Sequence, residues 1–199
     1  ESNLPTLLNQ LRVFSNNHQV IIINDGSTDS TKFILENFKF YEIINLRNRL
    51  GKGNAIKCGL RNSINDKIVI YDGDLELETH QINDLMILDK KKKINCVFGS
   101  RYLKVKPTNS FWDLGNYFIT YLFNYRNNSN LSDSLCCAIS FFKNDLLEEE
   151  LRSTGFDIDI ELKSKLVLKY NNPKNIHFNY HRRGNRQGKK LRLKDSISI

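Results

Sequence analysis

The sequence predicts an α/β protein: a doubly wound, mostly parallel sheet flanked by helices. Two observations carry that expectation. Short β-branched runs alternate with helical-period segments through the first hundred residues, the pattern of strand–helix units that build parallel sheets. Two of those runs, Val20–Ile23 and Lys67–Ile70, are followed at once by acidic, glycine-containing loops. In an open α/β sheet that edge is where ligands bind.

The elements follow in order. Leu4, Leu7, Leu8 and Leu11 lie at helical spacing in a segment reaching Phe14. Val20–Ile23 is a continuous apolar run, expected as a strand buried on both faces. Phe33, Ile34, Leu35 and Phe38 suggest a second helix, Tyr41–Leu46 a strand, and Gly53–Leu60 a helix. Lys67–Tyr71 is the next strand, and Thr79 is an N-cap candidate for a helix running to about Asp89. Asn95–Gly99 is a further strand. Beyond residue 100 the alternation weakens. Phe111–Tyr125 reads as an aromatic-rich helix, Cys136–Phe142 as a strand and Asn144–Leu151 as a short helix. Asp157–Lys169 is another helix, and Ile176–Tyr180 returns to strand character. No repeat or low-complexity linker interrupts the chain, so residues 1–199 are expected to form one domain. Residues 1–100 would be its ligand-binding half, and 101–199 a second half ending in a basic segment.

A chain of 199 residues is long enough for a sizeable core, and 40% hydrophobic with 26% charged residues is ordinary for a globular domain. The net charge of +8 favours anionic partners such as nucleotide diphosphates, lipid headgroups or nucleic acid. With 25 Asn and only two Ala, however, compositional bias also inflates Lys, so the position of charge outweighs its total. Cys58, Cys96, Cys136 and Cys137 have neither metal-site nor disulfide-framework spacing and are expected as reduced thiols of a cytoplasmic protein. No apolar run approaches the roughly 18–20 residues of a membrane span, so membrane contact would be peripheral, on the cytoplasmic face.

Asp72-Gly73-Asp74 is the most informative triplet. Two carboxylates flanking a Gly at a strand end suit a hard divalent cation, Mg²⁺ or Mn²⁺, that also carries phosphate oxygens. An exposed acidic turn is the plain alternative. The upstream string Asn24-Asp25-Gly26-Ser27-Thr28-Asp29-Ser30-Thr31 is, by itself, ordinary turn and cap chemistry. Asn48-Arg49-Leu50-Gly51-Lys52-Gly53-Asn54-Ala55 lacks the spacing of a P-loop, and Ile56 stands where a dinucleotide fingerprint needs Gly or Ala.

Together these motifs resemble the family 2 glycosyltransferases of GT-A fold, and within them the polyprenyl-phosphate sugar transferases typified by dolichol-phosphate mannose synthase. The resemblance implies that Asp72 and Asp74 hold a metal–diphosphate of a UDP- or GDP-sugar, with Glu76 either a third metal ligand or a surface acid. It places Asp25 and Ser27 at the nucleotide and Lys52 near phosphate or base. Gly99-Ser100-Arg101 resembles a segment whose guanidinium meets donor or acceptor phosphate, a task a planar fork performs better than an ammonium. Asp133 resembles an acceptor-side Asp, although Leu135 and Cys136-Cys137 depart from the family pattern there. In Gly155–Leu162, Asp159 is the catalytic or structural candidate and Asp157 the helix cap. The segment from Tyr180 to Arg192 resembles the family's basic ending, in which Arg183, Lys189 and Lys190 would close over the phosphates.

The expected reaction is metal-dependent, inverting transfer of one sugar, with Asp74, Arg101 and Asp159 as the catalytic set. The acceptor is a polyprenyl phosphate in cell-envelope chemistry or, alternatively, a glycan hydroxyl, for which Asp159 would serve as base. A non-catalytic nucleic-acid module is the rival from another class. Seven Arg and Lys lie between Arg182 and Lys194, but the interleaved aromatics of single-strand readers are absent, so no nucleic-acid partner is expected. Finally, Glu1-Ser2-Asn3-Leu4 resembles residues that follow the family's first strand. The chain is therefore expected to be a fragment, with a sheet gap beside Val20–Asn24 or Lys67–Asp72.

Overall fold

A computed structural model describes residues 2–104 and 111–182. Among the described residues there are six strands: β1 (Ile21–Asn24), β2 (Glu42–Asn45), β3 (Lys67–Ile70), β4 (Cys96–Ser100), β5 (Ile139–Phe142) and β6 (Lys174–His177). The helices are α1 (Leu4–Leu11), α2 (Thr31–Glu36), α3 (Lys52–Asn62), α4 (Ile82–Leu85), α5 (Phe111–Asn127) and α6 (Ile158–Lys169). The strands divide into a parallel pair, β1–β2, and a four-stranded sheet ordered β3-β5-β4-β6. In the larger sheet β4 and β6 run parallel, while β5 runs antiparallel to both β3 and β4.

Side-chain alternation explains why the larger sheet is covered on both faces. Cys96 and Phe98 of β4, with Ile139 and Phe141 of β5, face a core completed by Phe123 of α5 and by Ile158, Leu162 and Leu166 of α6. Val97 and Phe142 point the other way, against Leu85, Leu88 and Phe178. A smaller core of Leu8, Leu35 and Tyr41 joins α1 and α2 to β1 and β2.

Three expectations need correction. The helix expected from Thr79 to about Asp89 is instead a 3-10 turn, Thr79–Gln81, followed by α4 alone. The chain then bends into a turn in which the backbones of Asp89 and Ile94 exchange hydrogen bonds of 3.0 and 2.9 Å. That turn leaves the four lysines at 90–93 at the surface. The helix expected at Asn144–Leu151 resolves into two 3-10 turns, Lys143–Asp145 and Glu148–Glu150. Its buried anchors, Leu146 and Leu151, are five residues apart and do not share a helical face. Ile21, Ile22 and Ile23 are half-buried rather than buried on both faces. The cause is that, among the described residues, β1 pairs only with β2 and β3 only with β5. Between those two open edges lies an apolar cleft of about 490 Å³, lined by Ile21–Asn24, Lys67–Tyr71, Leu7 and Met86. A gap at this position is what the sequence led us to expect.

Candidate active site

Four segments converge where β1 and β3 end. The loop after β1 turns at Gly26, whose φ is +61°, and a Cβ there would lie 2.4 Å from the backbone of Asn48 and Arg49. Only glycine permits that approach. The neighbouring Asp25 then latches the two loops together: Oδ1 accepts from Leu50 N at 2.7 Å and Oδ2 from Gly51 N at 2.9 Å. Gly51, at φ +94°, approaches the backbone of Thr154, and Gly53 N donates to Thr154 O at 2.9 Å. The start of α3 is thereby fixed against the segment that leads into α6.

That arrangement aims Lys52 at two carboxylates. Its Nζ donates to Asp72 Oδ2 at 3.0 Å and to Asp159 Oδ2 at 2.7 Å. The Lys52 and Asp159 side chains are 13% and 8% exposed, whereas Asp72 is 38% exposed. Burial lowers the Lys52 pKa, but Asp159 and Asp72 more than offset it and hold the ammonium well above its usual range. Burial raises Asp72, and Lys52 more than reverses that, leaving its carboxyl below the ordinary value. For Asp159 burial wins over Lys52, and its carboxyl is raised. Asp159 Oδ1 is buried without a hydrogen-bond partner among the described residues, a costly state for a carboxylate oxygen.

A second ionic cluster lies beyond it. Asp133 accepts from Arg101 Nε at 2.7 Å, Nη2 at 2.9 Å and the backbone N at 3.1 Å. Lys163, wholly buried one helical turn after Asp159 on α6, donates its Nζ to Asp133 O at 2.9 Å. Burial raises the Asp133 carboxyl, and Arg101 more than reverses this, holding it low. Burial depresses the Lys163 ammonium. Arg101 also lies 5.2 Å and 5.4 Å from the ring centroids of Tyr102 and Tyr180. Tyr102 Oη donates to Asp113 Oδ1 at 2.8 Å, and Arg182 pairs with the same carboxylate.

The structure thus unites Lys52, Asp72 and Asp159, and sets Arg101 beside Asp133. Asp25 binds backbone donors of the loop at 50–51. Ser27 N donates to Asn24 Oδ1 at 3.2 Å. Asp74 Oδ1 accepts from Glu76 N at 3.0 Å, across Leu75 at φ +61°. Among the described residues no three His, Cys, Asp or Glu are grouped to hold a metal ion. An ionised, partly exposed Asp72 with Asp74 two residues on still fits a hard cation that arrives with diphosphate oxygens. Asp157 stands at the N-cap of α6, but its Oδ1 accepts from Gly155 N at 3.1 Å instead of capping the helix. Arg183, Lys189 and Lys190 lie outside the described residues.

Sequence reasoning missed Lys163, buried against Asp133. The signal for Lys163 was present: it follows Asp159 by four residues on a stripe otherwise formed by Ile158, Leu162 and Leu166.

Comparison with known proteins identifies relatives in sequence and in fold. A dolichyl-phosphate β-glucosyltransferase of Trichomonas vaginalis is 32% identical over 79 residues, 38% of this chain and 23% of that protein. Glycosyltransferase AglJ of Haloferax volcanii is 26% identical over 148 residues, 72% of this chain and 47% of that protein. The chain thus spans at most about half the length of these relatives. Among solved structures, glucosyl-3-phosphoglycerate synthase of Mycobacterium tuberculosis, in complex with Mn²⁺ and UDP-glucose, superposes with a TM-score of 0.68 at 14% identity. That match covers 93% of this chain and 68% of the synthase. Mannosyl-3-phosphoglycerate synthase of Rubrobacter xylanophilus gives 0.62 at 13% identity, over 92% of this chain and 64% of that one. The fold is therefore GT-A. Residues 1–149 match glycosyl transferase family 2, and the chain belongs to that family.

Proposed function

We propose that this chain carries the donor site of a metal-dependent, inverting glycosyltransferase, which moves one sugar from a UDP- or GDP-sugar to a lipid phosphate, a polyprenyl phosphate. The observation that carries the reading is the Lys52–Asp72–Asp159 cluster at the ends of β1 and β3. It sets a partly exposed, ionised carboxylate beside a buried ammonium, the charges needed to take up a cation–diphosphate pair. Asp72 and Asp74 would hold Mg²⁺ or Mn²⁺, and the bound cation would stabilise negative charge growing on the leaving diphosphate. Lys52 keeps Asp72 ionised and fixes its orientation. The polyprenyl-phosphate acceptor is suggested by the sequence motifs and by the name of the Trichomonas relative. Such an acceptor is anionic near neutrality and attacks without a base.

A second reading has its own support. Asp159 Oδ1 lacks a partner among the described residues, and its carboxyl is raised, as suits a base that accepts a proton from an acceptor hydroxyl. Replacement of Asp159 by Asn separates the two. With a hydroxyl acceptor, turnover falls by about 10²–10⁴-fold; with a phosphate acceptor it changes little.

The core proposal is tested by titrating UDP and GDP with and without Mn²⁺. Metal-dependent binding of one nucleotide is expected. Unchanged affinity in both Asp72→Asn and Asp74→Asn would remove the site from consideration.

A further inference from the structure

The segment at 152–155 is held from two sides. On one it meets the start of α3: Gly53 N donates to Thr154 O at 2.9 Å, and a Cβ on Gly53 would lie 2.4 Å from Ser153 O. On the other it is held by Glu161 of α6, which accepts from Arg152 N at 3.0 Å and Ser153 N at 2.8 Å. That second side opens on a surface depression of about 630 Å³, walled by Arg126, Arg152 and Lys165 beside Asp157 and Glu161. None of these residues lines the cleft in which Lys52 stands.

The charges of the depression are mismatched. Both carboxylates have taken backbone donors, Glu161 from Arg152 and Ser153, and Asp157 Oδ1 from Gly155 N at 3.1 Å. Burial raises the Glu161 carboxyl, but those backbone donors more than reverse it, and Lys165 adds to the lowering. The three cations, in contrast, form no ion pair among the described residues. They come from three different elements: Arg126 from the last turn of α5, Arg152 from the segment itself, and Lys165 from α6. Scattered on a convex surface, such cations would be ordinary solvated charge. Gathered in one concavity their fields add, and two guanidinium forks match the oxygens of a phosphate.

We propose that this depression is a second anion site, which takes a small phosphate-bearing molecule and, when filled, braces the start of α3. A phosphate monoester offers three acceptor oxygens and about −1.5 to −2 charge, enough to meet all three cations at once, where a carboxylate offers two oxygens and one charge. Bound there, it ties Arg152 to α5 and α6. The same segment carries Thr154 O, the partner of Gly53 N, so its bracing reaches the first turn of α3, from which Lys52 projects. The consequence for Lys52 rests on the donor-site reading above; binding at the depression does not.

Calorimetric titration of the full chain with inorganic phosphate, without metal or nucleotide and against sodium chloride of matched ionic strength, tests the site. Saturable binding is expected, weakened about tenfold or more in the Arg126→Gln, Arg152→Gln double variant. Both side chains are exposed and residue 152 keeps its backbone N–H, so a thermal melt should show the fold intact. Lys165→Gln alone should weaken binding too. A Lys91→Gln, Lys93→Gln pair removes the same charge from the exposed turn at 90–93 and should bind phosphate as the parent does. Bracing is read by hydrogen exchange: saturating phosphate should slow the Gly53 amide about fivefold or more, and should not do so in the double variant. Absence of saturable binding would overturn the proposal. So would equal weakening in the two pairs, which would mean diffuse attraction to a basic chain. Binding undiminished in the double variant would put the phosphate elsewhere, and unchanged exchange at Gly53 with phosphate bound would overturn the bracing. No nucleotide enters these measurements, so a failure of Mn²⁺-dependent UDP binding would strike the donor-site reading alone.

Discussion

The two ionic clusters of this protein use similar parts and end differently. Around Asp133 the geometry is closed. Its carboxylate is fully buried, three donors of Arg101 converge on it, and Lys163 takes its carbonyl oxygen. Around Lys52 the geometry is open: Asp72 reaches solvent, and one oxygen of Asp159 has no partner among the described residues. A satisfied buried network rigidifies what surrounds it. An unsatisfied one is retained against its cost, and such costs gather at functional sites. Under the proposed function the first cluster reads as architecture and the second as chemistry, although α6 supplies a residue to each.

The largest expected effect comes from the closed cluster. Removing one partner of a buried pair leaves an uncompensated charge, which costs about 3–5 kcal/mol. Asp133→Ala should therefore strip that much from the unfolding free energy, measured by urea denaturation. A loss below about 1 kcal/mol would mean that the pair behaves like a surface bridge, and the contrast would collapse.

The open cluster should respond in function instead. Asp72→Asn leaves Lys52 paired with Asp159, so the fold should hold. Loss of one charge-assisted contact to the metal–diphosphate, about 1.5–3 kcal/mol, lowers Mn²⁺-dependent nucleotide affinity roughly ten- to a hundred-fold. Calorimetric titration beside a thermal melt separates the two readouts. A melt that collapses while affinity persists would reverse the assignments.

Acidification sharpens the comparison because the two carboxyls shift in opposite directions. The folded pKa of Asp133 is lowered, so its stabilisation is present above the unfolded value of about 3.9 and is lost as pH falls through the folded value. The folded pKa of Asp159 is raised. Its contribution is fully present below about pH 3.9 and is lost as pH rises through the folded value. Asp133→Asn should flatten the acid limb of a stability–pH curve. Asp159→Asn should instead raise stability near neutrality relative to about pH 4. Parallel curves for the two variants would show that the clusters are not distinct.

Much of this was legible in the sequence because it is local. The strand-end position of Asp72-Gly73-Asp74, the Gly26 turn and the Lys52 start of α3 follow from runs of a few residues with recognisable turn chemistry. The first four strands and the long helices α5 and α6 fell close to their expected ranges for the same reason, whereas β5 starts three residues later than expected and β6 is displaced toward the N-terminus, at Lys174–His177 instead of Ile176–Tyr180. What sequence could not supply was pairing at long range. Lys52 and Asp159 are 107 residues apart, and Arg101 and Asp133 are 32 apart. Neither separation has a periodicity that sequence could expose. Arg101 was expected to face phosphate, yet its Nε, Nη2 and backbone N–H are turned toward Asp133. The half-buried state of Ile21–Ile23 was likewise hidden, since a β-branched run does not report whether both of its edges are paired. The outward apolar face of α5 was visible as aromatic content, but its direction depended on which side Asp113, Thr120 and Asn124 found partners.

The smallest effect belongs to the latch that precedes both clusters. Asp25 pairs with two backbone N–H groups, one from each of Leu50 and Gly51, and with no cation among the described residues. Asn at this position keeps one carbonyl acceptor but presents an amide donor where the second oxygen stood, so one backbone N–H loses its partner. Because this loop is near solvent, water can replace part of what is lost, and the cost should stay near about 1 kcal/mol. The consequence for function is indirect. A looser 50–51 loop releases the start of α3, so Lys52 spends less time between Asp72 and Asp159. Asp25→Asn should therefore weaken metal-dependent nucleotide binding less than Asp72→Asn does, and hydrogen exchange should quicken first at Leu50 and Gly51. If exchange there were unchanged while nucleotide affinity fell as far as in Asp72→Asn, Asp25 would be touching the nucleotide itself, and the open cluster would extend to the end of β1.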